Sequence, residues 1–181
     1  VLNASESKYK LWLKDRIVCY SPECFIKIQE QTIYSYPMKG TIDATITNAT
    51  EKILADKKEL YEHNTIVDLI RNDLAIVAKN ITVERFRYTE EIQTPNGALI
   101  QVSSEIKGHL CENWQETIGN ILIKLLPAGS ISGAPKEKTC AVIQRAEGQK
   151  RGYYTGIFGI FDGKNLDSAV AIRMLQKHDN E

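Results

Sequence analysis

Strand-like and helix-like segments occur along this chain in blocks, without the regular strand–helix alternation of a parallel sheet. That order points to an α+β fold with antiparallel sheets. Leu11 to Ile33 is rich in Ile, Val, Tyr and Phe and is broken at Ser21-Pro22, a pattern of strand, turn, strand. Tyr36-Pro37 ends the block, and Met38-Lys39-Gly40-Thr41 reads as a turn or loop entry. Asn48 to Leu69 reads as helix, with Leu54, Leu60, Ile66 and Leu69 as its apolar stripe and Asn72-Asp73 as its end. Ile81 to Tyr88 and Ala98 to Leu110 read as strands, with Pro95-Asn96-Gly97 as the turn before the second. Trp114, Ile118, Ile121, Leu122 and Leu125 recur at helical spacing, which predicts an amphipathic helix over Glu112 to Leu126, stopped by Pro127. A Gly-rich loop leads to a further helix from about Pro135 to Glu147, with Pro135 suited to a first turn and Gly148 to the C-terminal cap. Tyr153 to Phe161 and Asp167 to Gln176 read as a hairpin around Asp162-Gly163-Lys164-Asn165.

The chain has 181 residues, the size of one domain. Lysine plus arginine and aspartate plus glutamate number 23 each, so there is no general basic field for nucleic acid, although a local basic pocket is compatible with this balance. No run of ~18 apolar residues suggests a membrane span, and the first residues lack the apolar core of a signal peptide. Cys19, Cys24, Cys111 and Cys140, with histidines at 63, 109 and 178, do not form a zinc pattern. They read as reduced thiols of a cytoplasmic protein.

The hairpin carries a geometric expectation. A turn centred on Gly163-Lys164 pairs 161 with 166 and, counting back, sets Tyr154 opposite Arg173 on one sheet face. A phenol beside a guanidinium suits a carboxylate, and it is also an ordinary cross-strand packing pair. The loop Pro127 to Lys136 feeds a helix N-terminus, where backbone N–H groups and the helix dipole favour an anion. Its spacing is not that of a phosphate-binding Walker loop. Glu59 and Glu62 stand three apart, so on a helix they share a face and suit Mg²⁺, or simply form a solvated face. His63 alone suits a structural hydrogen bond, and Val67 to Asp73 a polar helix terminus with local salt bridges. Lys39, next to Gly40-Thr41, is either a surface charge or a nucleophile activated by its surroundings.

Six segments taken in order narrow these alternatives: Ser21-Pro22-Glu23-Cys24-Phe25, Pro37-Met38-Lys39-Gly40-Thr41, Glu62 to Leu74, Gly129 to Lys136, Arg151 to Gly156, and Ala171-Ile172-Arg173. They resemble the motifs of the chorismate-binding family, which includes the component I subunits of anthranilate and aminodeoxychorismate synthases and the isochorismate and salicylate synthases. The resemblance implies a layered α/β/β/α fold with two large antiparallel sheets and the substrate between them. Residues 1–181 would be the central portion of that single domain, since the family's later G-A-G-I-V segment and E-x-x-E metal ligands would follow Arg173. It also implies Glu62 as a Mg²⁺ ligand, Glu59 as a second acidic residue near the metal, Tyr154 and Arg173 on a substrate carboxylate, and Ser132 and Gly133 in the substrate loop.

Lys39 is similar to the lysine of the aminodeoxychorismate synthase branch, where anthranilate synthases usually carry Ala. The implied activity is conversion of chorismate and ammonia to 4-amino-4-deoxychorismate for 4-aminobenzoate and folate synthesis, with ammonia from a glutamine amidotransferase subunit. Another chorismate enzyme, above all anthranilate synthase component I, is the first rival, and a non-catalytic binding fragment of such an enzyme is the second. Gln101 stands where the family often has His.

Overall fold

A computed structural model describes residues 7–21, 23–94 and 97–177. Pro22 of the expected break, Pro95-Asn96 of the expected turn, and His178 lie outside the described residues. The strands are β1 (Tyr9–Leu13), β2 (Ile17–Ser21), β3 (Cys24–Gln29), β4 (Thr32–Ser35), β5 (Met38–Asp43), β6 (Lys79–Thr94), β7 (Gly97–His109), β8 (Ile157–Phe161), β9 (Leu166–Val170) and β10 (Met174–Gln176). The helices are α1 (Ala49–Ala55), α2 (Lys57–Ala75), α3 (Ile118–Leu125), a single turn α4 (Gly129–Ser132) and α5 (Lys136–Glu147). All strand pairs are antiparallel, as an α+β chain requires.

A seven-stranded sheet runs β5-β7-β4-β3-β9-β8, with β6 also on β7, and a three-stranded sheet runs β1-β2-β10. The two sheets share a corner. Strands β2 and β3 follow one another, as do β9 and β10, and pairing continues across the bend through Val170 N–H to Glu23 O (3.2 Å) and Tyr20 N–H to Arg173 O (3.1 Å). Arg173 turns the corner in the left-handed region at φ 53°, a conformation uncommon for a residue with a side chain.

The core lies between the large sheet and helices α2 and α3. Ile28, Ile33 and Ile106 from the strands, Val67 and Leu74 from α2, and Trp114, Ile121 and Leu125 from the segment after β7 form one buried cluster. Alternation along β4 and the nearly continuous burial of β3 supply the sheet side, and helical spacing supplies the other.

Several elements differ from expectation. Met38 to Asp43 is a strand rather than a loop entry, because β7 offers it a free edge to pair with. The single helix over Asn48 to Leu69 is two helices, separated at Asp56, whose extended backbone (ψ 116°) and side chain cap α2 through Glu59 N–H. The buried face of α2 is His63, Val67 and Leu74 rather than the stripe read from leucines and isoleucines alone. Helix 112–126 begins as a 3₁₀ turn at Trp114–Thr117. The hairpin register holds from Phe161↔Leu166 to Ile157↔Val170, but strand β8 begins after Tyr154.

Trp114 is fully buried, stands edge-on to Phe161 at 5.7 Å, and its indole N–H meets no acceptor among the described residues. Trp114→Ala should therefore destabilise the protein by about 3–5 kcal/mol. Trp114→Phe, which removes the unpaired donor and keeps much of the ring, should cost markedly less. Urea unfolding midpoints of the full-length protein measure both; equal losses would show that the cavity is not the cause.

Candidate functional site

The site assembles where β5 passes helix α2. The β5–β7 ladder shifts register between Met38 and Thr41, so Lys39-Gly40 forms a bulge, the kind of irregularity that re-aims a side chain. Gly40 has φ +95°, a conformation that favours glycine, and it lies so near α2 that a Cβ there would be 3.0 Å from the mobile end of Glu59, Oε2. The bulge directs Lys39 at α2, where its Nζ lies 2.9 Å from Glu62 Oε2. Lys58 reaches the other carboxylate oxygen at 3.6 Å. The hydrogen bond and charge of Lys39 hold the Glu62 carboxyl below its ordinary value. Lys39, Glu59 and Glu62, far apart in the sequence, thus meet on one small surface.

Two carboxylates one helical turn apart form an oxygen donor set of the kind Mg²⁺ takes from a protein while keeping waters. Among the described residues no group of three or more acidic, histidine or cysteine side chains converges as a metal cluster. Of the two, Glu62 is held here by the Lys39 and Lys58 ammonium groups, so a magnesium ion would take it only in exchange for them.

Behind this surface, His63 is fully buried. Its Nδ1 is 3.3 Å from the Lys39 carbonyl and its Nε2 is 2.7 Å from Ser104 Oγ. Burial pushes its pKa below the ordinary histidine value, opposed by the Lys39 carbonyl and reinforced by the charge of Arg87.

The Gly-rich loop is held by two carboxylates from different elements. Lys136 Nζ donates to Asp73 Oδ2 at 2.7 Å and to the Leu125 carbonyl at 3.0 Å, which ties the start of α5 to the ends of α2 and α3. Ser130 Oγ donates to Glu23, whose carboxyl burial pushes up, against that hydrogen bond and the charge of Arg173. Gly129 packs so closely on α2 that a Cβ would lie 3.0 Å from Ile70 and 3.1 Å from Asp73 Oδ2. Ser132 is buried, its hydroxyl turned back to the Ala128 carbonyl, and Gly133 follows at φ 72°. Val67 to Asp73 was expected to make only local salt bridges. Asp68 and Arg71 do so at 3.6 Å, but Asp73 reaches 63 residues ahead to Lys136. The signal in the sequence was a carboxylate on the inward side of the last apolar turn.

Tyr154 and Arg173 are not the expected cross-strand pair. Beyond Ile157↔Val170 only the hydrogen bonds of Thr155 N–H and Gly156 O with Ala171 continue the ladder, and Arg173 then enters the second sheet. Tyr154, about half exposed, faces Arg151, whose guanidinium is 5.7 Å from the ring centroid. Arg173 lines an open groove of about 1090 Å³ with Tyr20, Tyr36, Met38, Gln101 and Ser103. Met38 also lines a smaller cavity beneath the loop with Glu23, Asp73 and Ser130. The groove and the cavity beneath the loop share Cys24, Tyr36 and Met38, and Met38 precedes Lys39 in strand β5.

The groove bearing Arg173 and the cavity beneath the glycine loop are the concave candidates for a ligand site. All of residues 1–181 match the family model described as chorismate binding enzyme. The chain belongs to the chorismate-binding enzyme family. It is 59% identical over 181 residues to a protein of Haemophilus influenzae named "Uncharacterized PabA-like protein", covering all of this chain and 55% of that one. It is 33% identical over 190 residues to anthranilate synthase component 1 of Aquifex aeolicus, covering 99% of this chain and 37% of that one. The crystal structure of anthranilate synthase component I from Streptococcus pneumoniae matches with a TM-score of 0.77 at 28% identity, over 95% of this chain and 38% of that one. The isochorismate synthase MenF of Escherichia coli, at 18% identity and a TM-score of 0.73 over 90% of this chain and 38% of that one, shares the fold. The chain spans about half the length of the first of these curated relatives.

The lowered Glu62 value makes a prediction with a definite sign. A depressed carboxyl contributes its ion pair above its ordinary value of 4.5 and loses it as pH falls through the lowered one. Side-chain carbon NMR should find Glu62 titrating below the ordinary value in the wild type and moving back up in Lys39→Ala. An unchanged Glu62 titration in that variant would show that Lys39 is not its partner in solution.

Proposed function

We propose that the protein to which this chain belongs is component I of an aminodeoxychorismate synthase. In this reading it converts chorismate and ammonia to 4-amino-4-deoxychorismate for 4-aminobenzoate and folate synthesis, in the cytoplasm. The observation that carries the reading is the Lys39 amine held 2.9 Å from Glu62, on the helix face that also bears Glu59. A surface lysine has no need of a bulge, a positive-φ glycine and an acidic helix face aimed at it. These features suit an amine with a task.

In this reading Lys39 is the nucleophile. The Lys39 ammonium, paired with Glu62, first gives a proton to solvent; its neutral nitrogen then forms a bond to the chorismate ring as the 4-hydroxyl leaves, taking one of the nitrogen's protons with it as water. Ammonia then forms the new carbon–nitrogen bond, and the lysine nitrogen departs and takes back its proton. Two substitutions through a covalent intermediate replace one difficult displacement. Glu62 accepts a hydrogen bond from the amine and orients it. Glu59 and Glu62 would hold Mg²⁺, which neutralises the ring carboxylate and assists departure of the hydroxyl when bound. Arg173, in the groove, is assigned to the second carboxylate of chorismate, with Tyr154 assigned to the same task by resemblance alone. The loop around Ser132 and Gly133 closes the remaining side through its backbone. A glutamine amidotransferase subunit supplies the ammonia.

Anthranilate synthase component I is the competing reading, and it has the support of the Aquifex and Streptococcus relatives. Lys39 separates the two. In the full-length enzyme with ammonia, Lys39→Ala should lower formation of 4-amino-4-deoxychorismate by on the order of 10²–10⁴-fold, the range that a positioned catalytic group contributes. Enzyme mixed with chorismate and no ammonia should carry a mass adduct on the peptide that contains Lys39. A wild-type rate and product in Lys39→Ala would remove the lysine from the chemistry and leave the branch of the family open, whereas anthranilate as the wild-type product would establish the competing reading.

A further inference from the structure

Lys39 lies in the bulge, between the paired positions Met38 and Thr41, and its carbonyl meets a donor away from the sheet. Its partner comes from helix α2. His63 sits beside Glu62, is fully buried, and places Nδ1 3.3 Å from the Lys39 carbonyl. A carbonyl only accepts, so Nδ1 carries the proton. A neutral imidazole then has a lone pair on Nε2, which receives the Ser104 hydroxyl at 2.7 Å. The Ser104 oxygen in turn accepts the Arg87 backbone N–H at 2.9 Å. Every donor in this buried chain has an acceptor in only one arrangement of protons.

The location of Ser104 explains why the chain matters. On one side of Ser104, β7 pairs with β5, whose register shifts between Met38 and Thr41. On the other it pairs with β6, whose register shifts between Arg85 and Tyr88. The second irregularity spans Ser104 itself, the first lies opposite Gln101 to Ser103, and the Ser104 N–H donates to the Pro37 carbonyl at 3.0 Å. Arg87, in the left-handed region at φ 49°, donates from its guanidinium to the Ile53 and Leu54 carbonyls at the end of α1. Phe86 covers the imidazole edge-on at 5.8 Å. One hydroxyl and one imidazole thus couple two bulges to two helices.

We propose that His63, held as the neutral Nδ1–H tautomer by Ser104, is the positioning residue that fixes the Lys39 backbone and so sets where the amine meets Glu62. His63 touches neither substrate nor amine. It acts through the peptide carbonyl of Lys39, and the helix that carries it also carries both carboxylates. The value of this arrangement to catalysis rests on the function proposed above; the arrangement itself does not.

Three variants of the full-length protein test the proposal. His63→Asn keeps an N–H donor near the Nδ1 position, His63→Leu keeps bulk alone, and Ser104→Ala keeps the imidazole but removes its orienting hydroxyl. Ring nitrogen NMR of the wild type should show the Nδ1–H tautomer at neutral pH, and Ser104→Ala should show a mixture. Labelling of Lys39 by an amine reagent, read by peptide mass spectrometry against the remote Lys164, should change several-fold in His63→Leu and stay near wild type in His63→Asn. With chorismate and ammonia, kcat should fall on the order of 10–100-fold in His63→Leu at nearly constant KM, and His63→Asn should recover most of it.

An Nε2–H tautomer in the wild type would overturn the proposal, as would identical Lys39 labelling in folded His63→Leu and wild type. If His63→Leu does not fold, a Ser104→Ala protein with a wild-type tautomer and Lys39 labelling overturns it equally. Tautomer and labelling require no chorismate, so the proposal fails separately from the enzyme reading, which fails on the product of Lys39→Ala.

Discussion

The rotational setting of helix α2 against strand β7 is the constraint on which the site depends. Val67 and Leu74 face the apolar core, and His63, on the same face, adds a polar contact with Ser104 inside the sheet. A buried polar contact is costly to leave unmade, so the helix cannot rotate freely about its axis as a purely apolar face would allow. That setting turns Glu59 and Glu62 toward Lys39 and Gly40 of β5, and turns Asp73, at the far end of the helix, toward Lys136. The amine, the acidic face and the glycine loop are therefore placed by a single rigid element.

Acidic side chains around the site are set in different electrostatic situations by their surroundings. Glu62, at the surface, is kept ionised by the amine beside it. Glu23, beneath the loop, is pushed up by burial and is held by Ser130. Asp73 is largely buried and paired with Lys136. A buried pair of that kind gives specificity of position more readily than net stability, because desolvation offsets much of the attraction. Its effect here is to fix the entry of α5 relative to α2. The loop between them is thereby held over the cavity that it lines, with Gly129 close against Ile70.

Local pattern revealed much of the secondary structure. The spacing of Trp114, Ile118, Ile121 and Leu125 identified the segment that closes the core, and the Asp162–Asn165 turn gave the correct β8–β9 register. It failed where long-range contacts compete with local preference. Met38 to Asp43 looked like a turn because glycine and proline flank it, yet it pairs with β7 as a bulged strand. Asp56 looked like an ordinary helical position, yet its carboxylate caps a second helix. Extrapolating the hairpin to Tyr154 and Arg173 assumed straight strands, and the chain instead turns a corner at Arg173 into another sheet.

By itself the sequence determined the class of architecture, the presence of a glycine-rich loop at a helix entry, and the residue types available for chemistry, because these follow from periodicity, turn residues and ordered motifs. Its motifs also singled out Lys39, Glu59, Glu62 and Arg173. Only the tertiary structure decided which of these meet. The Lys39–Glu62 contact, the link from His63 to Ser104 and the clamp of Asp73 on Lys136 join residues separated by 23, 41 and 63 positions. No local propensity encodes such contacts. They arise because burial forces each displaced carbonyl, imidazole and carboxylate to find a partner, and only the packed arrangement of sheet and helix determines which partner is within reach.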